Sequence, residues 1–236
     1  MAALEEAITL ARTGKIDAVV TGPIHKARMY EIGFHFPGQT EFFAGRCDVT
    51  DFAMLLTGGK ITVALVTAHV PLQRVASLLS KDEIVRVGKL LHHFLIHRGV
   101  KSPRIAVAGL NPHAGESGKL GIEEFQIIAP AVSELQSAIG NKQSAIFSGP
   151  FPPDTIFHHA AQGDWDAVLC MYHDQGLIPL KLHAFHEGLN VTLGLPFPRT
   201  SPDHGTAFQI AGKGIARPDS MIAAIKLAVE LAQKKN

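Results

Sequence analysis

Three histidines in this sequence stand in the same kind of place. His69 follows the apolar run ITVALVTA, His113 follows RIAVAGL, and His173 follows DAVLCMY. Each run has the β-branched, apolar character of a buried strand, so each imidazole stands a few residues beyond a strand end. Neutral imidazole is the commonest side-chain metal ligand, and three of them with an open position make a catalytic metal site. The competing reading is that each imidazole hydrogen-bonds backbone and caps its strand. That account suits one histidine taken alone; the threefold repeat of the placement favours the metal.

The chain has thirteen histidines, and most of the others read differently. His93 and His97 stand four apart on the helical run KDEIVRVGKLLHHFLIHRG, but Ile84, Val87, Leu91 and Leu95 form its apolar stripe. The two histidines therefore fall on the solvated side. His158, His159, His183 and His186 show no diagnostic spacing. The stretch HAGESGKLG imitates a phosphate-binding loop and fails, because His113 stands where glycine is needed and Leu120 where Ser or Thr is needed. No G-x-G-x-x-G joins a strand to a helix, so a nicotinamide cofactor must bind by other means.

Polar side chains are dense between residues 181 and 218, where Lys181, Asn190 and Arg199 offer donors suited to phosphate or carboxylate. Lys181 lies eight residues after His173 and, read across one turn, faces the same cleft. In PGQTEFF, Gln39 and Thr40 can hydrogen-bond a ligand, and Thr40 can also serve as a helix N-cap.

The elements that must carry these residues alternate. LEEAITLARTGK, IEEFQIIAPAVSELQSA, TIFHHAAQG and MIAAIKLAVELAQKK have helical spacing, and Ser80 with Glu83 makes a capping-box start for the helix ending at Gly99. DAVVTGP, KITVALVTA, RIAVAGL, SAIFSGP and DAVLCMY read as strands. Such alternation gives a largely parallel α/β sheet, with ligands beyond the carboxyl ends of its strands. The 236 residues suit one large domain or two modest ones, 46% are apolar, and the net charge of +1 leaves no nucleic-acid footprint. No apolar run approaches the roughly 20 residues of a membrane helix. The early acids of MAALEEAITLARTGK and two cysteines without a CxxC partner, Cys47 and Cys170, suit a reducing cytoplasm.

Seven motifs in order, VVTGPIHK, PGQTEFF, LVTAHVPL, GLNPHAGE, GPFPPDT, MYHDQGLIPLK and GLNVTLGLPFPRTSPDHGTAFQIAGKG, resemble the PdxA family of NAD-dependent 4-hydroxythreonine-4-phosphate dehydrogenases. The resemblance covers essentially the whole chain. It implies an isocitrate/isopropylmalate dehydrogenase-like α/β fold of two domains with a cleft between them. Residues 1–32 with 177–236 would form the cofactor-side domain, incomplete at its N-terminus because family members begin with a further region. Residues 33–176 would form the metal-binding and dimerisation domain. The same resemblance implies one divalent metal (Zn, Mg or Co) on His69, His113 and His173, shared across a homodimer with His173 from the second subunit. Substrate contacts fall on Thr40, Lys181, Asn190 and Arg199, with Gln39 standing where the family has His. DHGTAFQIAGKGIARP is similar to the cofactor loop of the wider fold group, which implies NAD, or NADP, on His204, Gly205, Thr206 and Ala207.

The reaction so implied is oxidation of 4-phosphooxy-L-threonine to a β-keto acid, which loses carbon dioxide to give 3-amino-2-oxopropyl phosphate on the way to pyridoxal 5'-phosphate. Asp174 and Asp154 are candidates for supporting a ligand histidine or handling a proton, and Lys181 for general base once burial lowers its pKa. The rivals are a dehydrogenase of D-threonate or D-erythronate 4-phosphate, a metal-dependent hydrolase, and a non-catalytic relative that binds metal.

Overall fold

The computed structural model describes residues 1–140 and 145–234. It divides into two compact units, Met1–Met54 with His186–Asn236, and Leu55–Phe185.

The first unit opens with α1 (Ala2–Arg12), which buries Ile8 and Ala11. Gly14, at φ +71, takes the chain out of the helix. The short strand β1 (Val19–Val20) leads to α2 (Lys26–Glu31) and α3 (Gln39–Arg46). The N-cap of α3 is Gly38, and Thr40 lies inside the helix, so Thr40 is not the cap that its residue type suggested. Phe34, Phe42, Phe43 and Cys47 join Ile8, Ala11, Val19 and Phe197 in one buried cluster. That aromatic packing ties residues 33–54 to α1 and β1, and it puts the unit boundary after Met54 where the sequence suggested residue 32.

The second unit begins in β2 (Ala53–Gly58), passes Gly59 and Lys60, and continues as β3 (Ile61–Leu65). Helix α4 (Val75–Leu78) precedes α5 (Lys81–His97). Ser80 Oγ accepts from Glu83 N at 3.2 Å, the backbone half of the anticipated capping box. Ile84, Val87, Leu91 and Leu95 are buried, and His93 is exposed. Next come β4 (Arg104–Ala108), a π-helical stretch over Glu124–Ile128, and α6 (Ala129–Leu135). The unit closes with β5 (Ile146–Phe151), α7 (Pro153–Gln162), β6 (Ala167–Cys170) and α8 (His173–Ala184). Ser144, which opens the run SAIFSGP, lies outside the described residues.

The strand order in this unit is β2-β3-β6-β4-β5. β3 pairs β6, β6 pairs β4, and β4 pairs β5, all in parallel. Every residue of β2, β3 and β6 is buried, which is why these strands are continuous apolar runs rather than alternating ones. Parallel pairing brings the carboxyl ends of β3, β6 and β4 to one edge.

The chain then returns to the first unit as β7 (Leu189–Leu193), β8 (Arg199–Pro202) and α9 (Asp219–Gln233). β8 lies between β1, parallel, with Val19 opposite Arg199, and β7, antiparallel, with Asn190 opposite Ser201. Helix α9 buries Ala224, Leu227, Ala228 and Leu231. Lys235, at the end of the helical run read from the sequence, lies outside the described residues. No described helix is long and apolar enough to cross a membrane.

Candidate active site

The histidine edge belongs to the second unit. His69 lies four residues past β3, His173 opens α8 three residues past β6, and the His69 and His173 ring centroids are 6.0 Å apart. They line a cavity of about 310 Å³ with Thr67, Tyr172 and Asp174. His173 Nδ1 is 2.7 Å from Asp174 Oδ1. A carboxylate accepts only, so Nδ1 carries the proton and Nε2 is the nitrogen left to ligate. The two rings are tilted 40° to each other at the cavity wall, and both are of a residue type that can ligate a cation. Burial, with the charge of Asp174, pushes the Tyr172 hydroxyl above its usual pKa, so it is a neutral donor at the cavity wall.

His113 is placed differently. It begins a run of five consecutive left-handed residues, His113 to Ser117, just past β4. Left-handed backbone costs roughly 1–2 kcal/mol for each non-glycine residue, so this shape needs outside support. Among the described residues, no group of three His, Cys, Asp or Glu side chains is arranged to hold a metal ion. Of the three histidines, His69 and His173 are the two whose rings come together.

The passage after His173 is also not a turn. Residues 173–184 form helix α8, which places Lys181 about 12 Å along the axis from His173 at 1.5 Å per residue. Pro179, inside the helix, disguised it, since interior proline usually ends a helical pattern. Lys181 Nζ stands 5.8 Å from the Phe185 ring centroid. Asp154 sits exposed in the first turn of α7 and does not line the histidine cavity.

A second polar cluster lies in the first unit. Arg199 is 2% exposed; its Nη2 donates to Thr21 Oγ1 at 2.6 Å and its Nη1 to Thr192 Oγ1 at 3.1 Å. The guanidinium lies over the Phe43 ring at 5.3 Å. Burial pulls its pKa down to about 10, which leaves it charged at neutral pH. Thr40 Oγ1 is 3.4 Å from Thr192 Oγ1, and Gln39 Nε2 donates to Gly22 O at 2.9 Å. Arg199 Nε, Asn190 Oδ1 and Gln39 Oε1 are buried with no hydrogen-bond partner. Orphaned buried polar atoms are costly unless a ligand satisfies them, and the charge of Glu41 also acts on Arg199. Thr21 and Thr192 were not foreseen. Asn190 and Thr192 share one face of β7 by the two-residue period of a strand, a signal the sequence does carry.

The loop after β8 is open. His204 and Gly205 are exposed, Thr206 and Ala207 are half-buried, and Ala207 adopts φ +46. A Cβ built at Gly205, Gly212 or Gly214 meets nothing, so there is open space beside the backbone along this loop. Phe208 packs between the His25 ring, at 5.5 Å, and Arg28, at 5.3 Å.

Comparison with known families gives a match over residues 1–228 to the PdxA family, described as pyridoxal phosphate biosynthetic protein PdxA. The chain belongs to the PdxA family. It is 48% identical over 239 residues to a 4-hydroxythreonine-4-phosphate dehydrogenase from Maricaulis maris, covering 98% of this chain and 69% of that one. It is 50% identical over 222 residues to the enzyme of that name from Desulforapulum autotrophicum, covering 94% and 64%. Among solved structures, the 4-hydroxythreonine-4-phosphate dehydrogenase from Klebsiella pneumoniae superposes with a TM-score of 0.84 at 43% identity, over 98% of this chain and 69% of that one. The chain thus spans about two thirds of the length of these PdxA relatives, and its mixed α/β fold is theirs.

Proposed function

We propose that this PdxA-family chain takes part in the oxidation of 4-phosphooxy-L-threonine, with NAD as acceptor, to a β-keto acid that decarboxylates to 3-amino-2-oxopropyl phosphate. The observation that carries the proposal is the His69–His173 pair at the carboxyl edge of β3 and β6, with Asp174 on His173 Nδ1. A divalent cation (Zn, Mg or Co) on these histidines, with His113 as third ligand, would polarise the substrate hydroxyl, and NAD (or NADP) on His204–Ala207 would accept the hydride.

The chain's own residues do the rest. Arg199, held by two threonine hydroxyls, is a fixed cation for phosphate or carboxylate. Asn190 and Thr40 add hydrogen-bonding groups beside it. Lys181 contributes charge to phosphate binding or receives the hydroxyl proton, and Asp174 keeps the His173 ring in one tautomer. Asp154, exposed on α7, is assigned to proton handling near the surface. The homodimer belongs to the same reading. Ile178, Leu182 and Phe185 are exposed on one face along α8 and its C-terminal end, Leu182 at 89%. This exposed apolar face supports a site completed by a second copy. In that shared site the partner's ligand would be His173, as the family resemblance implies.

One residue bears on a second substrate class. Gln39 spends its amide donor on Gly22 O and leaves its oxygen orphaned, so it offers a ligand an acceptor where the family's histidine offers a proton. A sugar-acid phosphate such as D-threonate or D-erythronate 4-phosphate would present a hydroxyl to that acceptor where 4-phosphooxy-L-threonine presents its amine. The deciding experiment is NADH formation by the purified chain with each substrate, with and without a chelator. Chelator-sensitive NADH formation with 4-phosphooxy-L-threonine supports the first reading, with the sugar-acid phosphates alone the second, and silence with all of them removes both.

A further inference from the structure

The three histidine loops are laced together by buried polar side chains that are not themselves ligands. Thr67 Oγ1 donates to Met171 O at 2.7 Å, joining the His69 loop to the His173 loop. Gln175 Oε1 accepts from Met171 N, and its Nε2 donates to Gly109 O, both at 2.6 Å. That amide bridges the end of β6 to the end of β4. Beyond Gly109 the thread passes to Glu124. Its Oε1 accepts from Leu110 N and Asn111 N, both at 2.7 Å, and its Oε2 accepts from Asn111 Nδ2 at 2.9 Å. Gln175 and Glu124 are each 6% exposed.

Glu124 bears most directly on His113. The left-handed run starting at His113 is a shape the chain does not adopt unaided. It closes against the carboxylate with no spare room: a Cβ at Gly115 would lie 2.5 Å from Glu124 Oε2, and one at Gly121 would lie 2.1 Å from Asn111 Nδ2. Burial pushes the Glu124 carboxyl up, but the hydrogen bonds from Asn111 and Leu110 outweigh it and leave the group more acidic than usual. The ionised carboxylate is an acceptor on both oxygens, as donors on both sides require. A glutamine would turn an NH2 toward one of those donors. Glu124 also lies in the π-helical turn 124–128, a local widening that recurs at functional sites.

We propose that Glu124 is the positioning residue that sets the His113 loop, and that Gln175 registers this loop to the one carrying His173. The inference rests on the metal reading given above. The test uses the full chain with cobalt(II) alone as probe, measuring affinity, the visible absorption band and thermal melting for the wild type, Glu124→Gln and Glu124→Asp. The expected result is cobalt binding 10- to 100-fold weaker in both variants, with an altered band and a melt that stays cooperative. Should Glu124→Gln fail to fold, Glu124→Asp decides, since it keeps the charge but falls one methylene short of the backbone amides. Folded variants with wild-type affinity and an unchanged band overturn the proposal. A wild type that binds no cobalt overturns the metal reading and the proposal with it, an outcome visible in the wild-type arm alone.

Discussion

Arg199 and Thr21 meet between the neighbouring strands β8 and β1, Nη2 donating to Oγ1 at 2.6 Å inside a part of the first unit that is closed to solvent. The hydroxyl aims one arm of the guanidinium, Thr192 aims the other, and Nε is left without a partner. A hydrogen bond to a charged group is worth about 1.5–3 kcal/mol. Thr21→Val should therefore raise KM for the phosphorylated substrate by about 10- to 100-fold, with a smaller effect on kcat. Steady-state kinetics check this, and an unchanged KM would remove Arg199 from the substrate site.

Asp174 fixes the tautomer of His173 from 2.7 Å. Asp174→Asn should weaken divalent-metal binding by about 10- to 100-fold, and His173→Ala should abolish metal binding and turnover. Both should leave the far-ultraviolet dichroism close to wild type, because His173 is only the first residue of α8. Isothermal titration with zinc distinguishes the cases, and a fully active His173→Ala enzyme would sink the assignment.

The exposed apolar face of α8, Ile178, Leu182 and Phe185, should be covered in a dimer. Leu182→Glu places a charge in the middle of that face and should shift light scattering from dimer to monomer, with loss of activity. A wild-type chain that is monomeric at micromolar concentration would contradict the dimer.

His92 is 1% exposed on α5, and both ring nitrogens lack partners. Burial, reinforced by neighbouring His93, lowers its pKa from the ordinary 6.5. The folded chain keeps this ring neutral while the unfolded chain protonates it near 6.5, so the unfolded state binds more protons in that window. Stability should fall as pH drops from about 6.5 toward the lowered pKa and level off below it. His92→Leu should flatten the melting temperature across this range, measured from pH 7 to pH 5.

Gly194 holds φ +86, and a Cβ there would sit 2.0 Å from the Asp51 carbonyl oxygen. Backbone cannot yield as a side-chain tip can. Gly194→Ala should destabilise the first unit by about 3 kcal/mol or more, combining left-handed strain with the clash, visible as a lowered urea midpoint.

The sequence announces its histidines well and their framework less well. His69, His113 and His173 follow apolar runs dense enough to be unmistakable as buried parallel strands, and the edge they share follows from that. Other features were hidden. Pro179 masks α8, because interior proline normally argues against a helix. β8, reading RTSP, carries polar residues and so matches no apolar strand pattern, whereas β7, reading LNVTL, does alternate with the two-residue period of a strand. The supporting residues Thr21, Thr192, Gln175 and Glu124 act through tertiary pairings at varied separations, 7 positions from Thr192 to Arg199 and 178 from Thr21 to Arg199, and no local period encodes them. The helical run from Ile122 to Ala138 was legible as helix, but its π-helical turns were not, since one extra residue per turn barely disturbs the apolar spacing.

The strand order of the second unit also sets a sequence of events. β6 lies between β3 and β4 in the sheet yet is the last of the three along the chain. A chain growing from its N-terminus presents His69 and His113 long before the strand that must separate their loops exists. Only when β6 is inserted does His173 arrive, with Gln175 beside it to clasp the neighbouring strand end. A cation site using these histidines would thus be a product of sheet closure, and metal capture would become a readout of whether the second unit has closed its sheet.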